Sequence, residues 1–190
     1  MKNYLKNLKI LKDAHVYNKS MEHDACGVGL IASTEGKKSR KVVEYGINAL
    51  KAVFHRGAVD ADGKTGDGAG IHLEIPSDFF TEKIELTGHK HDGSEICVGM
   101  IFLPRNNYEA QENARTLIES ELTKSNFSIY GWRQVPVNSK VLGEKANLTR
   151  PEITQVLFKH NEKNLTGKNL ERKLYESRRK IENKAIKNQI

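Results

Sequence analysis

HRGAVDADGKTGDGAGIHLEIPSDFF, residues 55–80, is a loop rich in glycine and aspartate that runs into an alternating apolar segment. AGIHLEIP (69–76) alternates apolar and polar residues and stops at Pro76, which reads as a strand. Two familiar site readings fail on this stretch. Asp60-Ala61-Asp62-Gly63 has the opening of a calcium loop, but the twelfth position from Asp60 is Ile71 rather than a bidentate glutamate. Gly66-Asp67-Gly68-Ala69-Gly70 carries no following Lys-Ser/Thr and leads into a strand, not a helix, which excludes a phosphate loop or dinucleotide fingerprint. What remains is a loop whose glycines permit tight backbone turns beside a site. His55-Arg56-Gly57 taken alone is an ordinary loop tripeptide.

Upstream, Cys26 opens the apolar run CGVGLIAS (26–33) behind the polar segment Met21–Ala25. A lone cysteine at such a place is usually a buried core thiol. The chemical alternative requires removal of residues 1–25. Cys26 would then carry its own α-amine beside its thiol. The ordinary pKa values are about 7.7–8.0 for the amine and about 8.5 for the thiol, so a proton passes between them at little cost. Cys97, inside a strongly apolar strand, reads as inert core.

Working outward, CGVGLIAS reads as a buried strand, and Ser39 as the cap of a helix over 40–54 with Val43, Ile47, Leu50 and Phe54 on one face. A short helix over 77–84 and a loop over 87–95 follow. ICVGMIFLP (96–104) is apolar enough for a strand covered on both faces. Asn106 or Asn107 starts a helix to residue 124, with Ala110, Ala114, Leu117, Ile118 and Leu122 inside. Residues 127–137 and 152–160 read as strands, 138–150 show no period, and 169–186 form a charged helix with Leu170, Leu174 and Ile181 on one side. Mixed helices and strands place the fold in the α/β or α+β class.

The composition limits what the 190 residues can be. No apolar run approaches the ~18 residues of a membrane-spanning helix, so no membrane association is expected. Two cysteines cannot build a disulfide framework. The expectation is a soluble, cytoplasmic protein. The net charge of +7 sits at the ends: residues 1–25 hold five lysines against three acids, residues 163–190 nine basic residues against three glutamates, and the middle is close to neutral. Alternating signs at Glu171-Arg172-Lys173 and Glu176-Ser177-Arg178 favour a solvated, ion-paired helix over a nucleic-acid surface. A basic binding protein that uses this Lys/Arg-rich helix on nucleic acid or another partner is the competing reading.

EHDACGVGLIA (22–32), the 55–80 stretch, VGMIFLP (98–104), GWRQVPV (131–137) and ERKLYESRRKIE (171–182) together resemble the start of the glutamate synthase large subunit. The resemblance runs from Glu22 through nearly the whole chain, and its most specific part is the HRG–TGDGAG segment. It implies a class II glutamine amidotransferase domain over 26–190 after a pro-segment, 1–25. The implied fold is the α+β N-terminal-nucleophile hydrolase, an αββα sandwich of two stacked sheets, here incomplete. Glutamine is the implied substrate, Cys26 the nucleophile and its freed amine the base. Arg56 of HRG, with Gly66, Asp67 and Gly68 of the loop, is implied to bind substrate or support the site. The family's HSRFST-like segment, which holds the glutamine α-carboxylate, and its HNGE segment, which forms the oxyanion hole, do not occur in these residues. The expectation is therefore a chain inactive by itself, a gene fragment or one half of a split enzyme completed by the remaining domains on another chain. No cofactor is expected in this chain. FMN and an iron–sulfur cluster belong to the complete family enzyme.

Overall fold

Three apolar segments find one another in space. β1 (Cys97–Leu103), β2 (Phe127–Gln134) and β3 (Glu152–His160) form one antiparallel sheet in the order β1-β3-β2. The structure, a computed structural model, describes residues 6, 7, 9, 10, 13, 27–54 and 57–189. The chain divides into two units, Met1–Ala58 and Val59–Ile190. The sheet belongs to the second. β3 is its centre because both of its faces are apolar, and every residue from Thr154 to Phe158 is buried. Cys97 stands opposite Phe158 and Leu103 opposite Glu152 on one side; Phe127 stands opposite His160 on the other.

The first unit contains α1 (Arg40–Ala52), capped as expected by Ser39, whose Oγ accepts the Lys41 N–H. In the second unit α2 (Ser77–Glu85) covers one face of the sheet, and α3 (Tyr108–Lys124) and α5 (Gly167–Asn188) cover the other. A short α4 (Glu144–Thr149) precedes β3. Asn107 caps α3 by accepting the Ala110 N–H at 3.0 Å. Ile118 and Leu122 of α3 and Leu170 of α5 meet Cys97, Phe127, Val156 and Phe158. Leu174 and Ile181 extend that contact along α5. Behind the sheet, Phe80 and Ile84 of α2 pack with Ile96, Tyr130 and Leu157. The class is α+β, with an antiparallel sheet between helices. Among the described residues no helix is long and apolar enough to cross a membrane.

Polar contacts fix the layers. Glu121, almost fully buried, accepts from Lys124 at 3.0 Å and from Lys184 at 2.7 Å, tying α3 to α5. Lys184 first, then Lys124, holds its carboxyl below the ordinary glutamate value. The 87–95 loop is fastened by Asp92, which pairs with Lys159 and accepts from Ser94 Oγ at 2.6 Å. These bonds, the Lys159 contact foremost, hold the Asp92 carboxyl well below the usual carboxylate range. Thr87 Oγ1 donates within this corner to the Tyr130 carbonyl at 2.9 Å, where β2 bulges between Ile129 and Gly131.

Two expected strands do not form. Residues 27–33 and 69–76 have no ladder partner among the described residues. Val28 is 94% exposed and Leu30 89%. Apolar alternation records which side chains favour burial, but a strand also needs a second strand to take its N–H and C=O groups. α1 also ends two residues early, at Ala52, with Phe54 left exposed.

Two measurements test this packing. Leu157→Ala should lower the urea unfolding free energy by about 2–5 kcal/mol with an unchanged m-value. Asp92→Asn should be less stable than the native chain above the ordinary aspartate value of 3.8. A depressed folded-state pKa stabilises where the carboxylate is charged, so the difference should close as the pH falls from about 5 towards 2.

Candidate active site

The glycine-rich loop is built from its own aspartates. Val59 bridges Gly66, and the Asp60 N–H donates to the Thr65 carbonyl at 2.7 Å, closing a tight turn at Gly63. Asp62 sits inside the turn. Its Oδ1 accepts the N–H groups of Lys64 and Thr65 at 2.9 and 2.7 Å, and its Oδ2 accepts the Thr65 hydroxyl at 2.5 Å. The Thr65 hydroxyl, then the backbone donors of Thr65, Lys64 and Lys145, keep the Asp62 carboxyl well below the usual range. Asp62 is thus a fixed acceptor rather than an acid–base group near neutral pH.

The turn is pinned against a distant segment. Lys145 Nζ reaches both carboxylate oxygens of Asp60, at 2.9 and 2.7 Å, and the Ala146 N–H meets Thr65 Oγ1 at 3.5 Å. Gly143 lies between them. A Cβ there would overlap Thr65 Oγ1 and Asp62 Oδ2 and stand 2.5 Å from the Thr65 nitrogen. Glycine is required at 143 by this close approach.

Cys26 and Arg56 lie outside the described residues, as do His55 and most of residues 1–25. Gly66, Asp67 and Gly68 are described, on the loop that leads from the Val59–Gly66 bridge. Gly68 has φ +85°, a left-handed conformation that other residues adopt at a cost, and no described atom lies within 4 Å of a Cβ placed on it. Its backbone angle accounts for the glycine there, while the crowding falls at Gly143. In the sequence Asp62 stands out only as part of a rejected calcium loop, and Thr65, Gly143 and Lys145 do not stand out at all. The Asp-x-x-Thr turn chemistry of 62–65 is a local signal that could have been read. Gly143 offered none, because its neighbours are about eighty residues away in the chain.

The second cysteine is where it was expected. Cys97 is 2% exposed, and burial first, then Glu95 and Glu171, push its thiol up to about 12. It is no nucleophile at neutral pH. Among the described residues no group of His, Cys, Asp and Glu could hold a metal ion. α5 is a packing helix: its outer charges pair as Arg172–Glu176, Arg178–Glu182 and Arg179–Glu182, and its apolar side faces the sheet layer.

Comparison with known proteins adds a family. The model of the class-II glutamine amidotransferases matches residues 26–190. The glutamate synthase [NADPH] large chain of Azospirillum brasilense is 52% identical over 181 residues, 95% of this chain and 12% of that protein. Ferredoxin-dependent glutamate synthase 2 of Synechocystis is 40% identical over 158 residues, 83% of this chain and 10% of that protein. The glutamate synthase [NADH] of Saccharomyces cerevisiae is 38% identical over 148 residues, 75% of this chain and 7% of that protein. The chain spans roughly a tenth of the length of these relatives.

Gly143→Ala should force the Asp62–Thr65 turn away from α4. The expected cost is about 1–3 kcal/mol in urea unfolding, together with faster amide exchange at Asp60 and Thr65. Unchanged stability and exchange would contradict the close packing described here.

Proposed function

The chain belongs to the class-II glutamine amidotransferases, and on that premise we propose that residues 26–190 supply the nucleophile-bearing part of the glutamine-hydrolysing domain of a glutamate synthase. The observation that carries this reading is the family match, which begins at Cys26 and runs to the last residue. The proposed fold of the whole domain is the αββα sandwich of the N-terminal-nucleophile hydrolases. The sheet β1-β3-β2 is one layer of it.

The chemistry follows from a chain-terminal cysteine. With residues 1–25 removed as a pro-segment, the α-amine of Cys26 takes the thiol proton. The sulfur attacks the side-chain amide carbon of glutamine. The ammonium formed at the amine returns a proton to the leaving nitrogen, and ammonia departs from a γ-glutamyl thioester. Water then attacks the thioester, releasing glutamate and restoring the thiol. Arg56 of the HRG motif holds a carboxylate or carbonyl of the site in place through its planar fork. We assign Gly66, Asp67 and Gly68 to support of the site, on a loop whose base is fixed by the close approach of Gly143 to Asp62 and Thr65.

Ammonia produced here serves reductive synthesis of glutamate in the complete enzyme, in the cytoplasm. Electron carriers belong to other domains. The chain has two cysteines, one of them sealed in the core, whereas a cysteine-held iron–sulfur cluster of this kind needs at least three nearby thiolates. The donor set does not fit such a cluster, and no step of glutamine hydrolysis requires it or FMN. The nucleic-acid reading has no support beyond the charge of α5, where Arg172, Arg178 and Arg179 pair with glutamates of the same helix.

These 190 residues contain neither an HSRFST-like nor an HNGE segment. Losing one oxyanion-hole donor alone costs about 10²–10³ in rate. The isolated chain should therefore release no ammonia from glutamine above a Cys26→Ala control. Placed in the corresponding segment of the Azospirillum large chain, the same residues should restore glutamine-dependent glutamate formation. Cys26→Ala in that chimera should abolish the glutamine-dependent activity and spare synthesis from free ammonia. A chimera indifferent to Cys26→Ala would contradict the proposal.

A further inference from the structure

At the far end of β1, where the chain leaves the sheet, a cleft of about 350 Å³ opens between residues 102–106 and 148–151. Its size falls within the range of small-molecule sites, about 300–1,000 Å³. Its lining is mostly polar: Arg105 and Arg150 supply two cations, and Phe102, Pro104, Leu148 and Pro151 add apolar side chains. Phe102 is 64% exposed and Leu148 74%. Neither arginine has a carboxylate within ion-pair distance among the described residues. Arg105 gives Nη1 to the Asn147 carbonyl at 3.3 Å, which positions its guanidinium and leaves most of its donors unused. The Nε of Arg150 is buried without a hydrogen-bond partner among the described residues.

We propose that this cleft binds a small organic acid, with its carboxylate on the Arg105–Arg150 pair and its apolar body against Phe102 and Leu148. The guanidinium fork matches a planar carboxylate in two parallel hydrogen bonds. A free phosphate fits less well. Phosphate sites draw on clustered backbone N–H groups, and two of the residues lining this cleft are prolines, which have none. The exposed side chains of Phe102 and Leu148 would also find no partner in a bare inorganic anion. The site does not depend on Cys26 and is additional to glutamine hydrolysis.

The test uses the full chain and three probes: phenylacetate, acetate and inorganic phosphate, titrated by ligand-observed NMR. Phenylacetate should bind about tenfold or more tightly than either of the others. Arg150→Gln should weaken it by about tenfold or more, and Phe102→Ala should reduce phenylacetate to the level of acetate. Far-UV circular dichroism identifies variants that keep the fold, and Arg105→Gln replaces Arg150→Gln if the latter does not fold. Equal binding of phosphate or acetate and phenylacetate would overturn the proposal. So would native affinity in a folded arginine variant, or no phenylacetate binding at about 10 mM.

Discussion

A strand apolar on both faces needs a neighbour on each edge and a covering layer on each side, and β3 meets that demand in full. Leu157 is wholly buried towards α2, and Val156 almost wholly towards α3 and α5. Its two edges are taken by β1 and β2. Other features of the second unit serve this arrangement. The Glu121–Lys184 contact holds the two helices of one layer together, and the Asp92–Lys159 contact fastens the loop that follows α2 to β3 itself. The loop residues therefore rest on a frame whose position is set by burial and whose details are set by a few charged pairs.

The Asp60–Thr65 turn shows how that frame can serve chemistry. Its aspartates make no contact suggesting proton transfer; they are occupied with backbone donors, a hydroxyl and a lysine. They hold the base of the TGDGAG loop against Gly143 and Lys145. In the proposed reaction the sulfur and nitrogen of one residue carry the bond making and proton transfer. The surrounding chain has to present glutamine to them, and a rigid loop is a suitable support.

Much of the frame was legible because it follows from local chemistry. Ser39 and Asn107 are caps with side-chain acceptors, β3 was bounded correctly at 152–160, and Leu170, Leu174 and Ile181 pointed to the inner side of α5. Segments 26–33 and 69–76 misled because their apolar pattern says nothing about which strand would pair with them. Residues 138–150 gave no period because α4 is under two turns long, too short for periodicity to emerge. For the candidate site, Cys26 and Arg56 rest on motif and family, and the lock at Gly143 became visible only in space. The arginine cleft was equally invisible from sequence, since Arg105 and Arg150 are joined only by the folding of β1 beside β3.

Glutamine hydrolysis by this route requires Cys26 to become the first residue of the working protein. Intact-mass spectrometry of the purified chain, with sequencing of its N-terminus, tests this most directly. The expected result is a mass short by residues 1–25 and a first cycle reading cysteine. A full-length mass that persists in folded protein would contradict it, because the thiol would then have no neighbouring α-amine to take its proton.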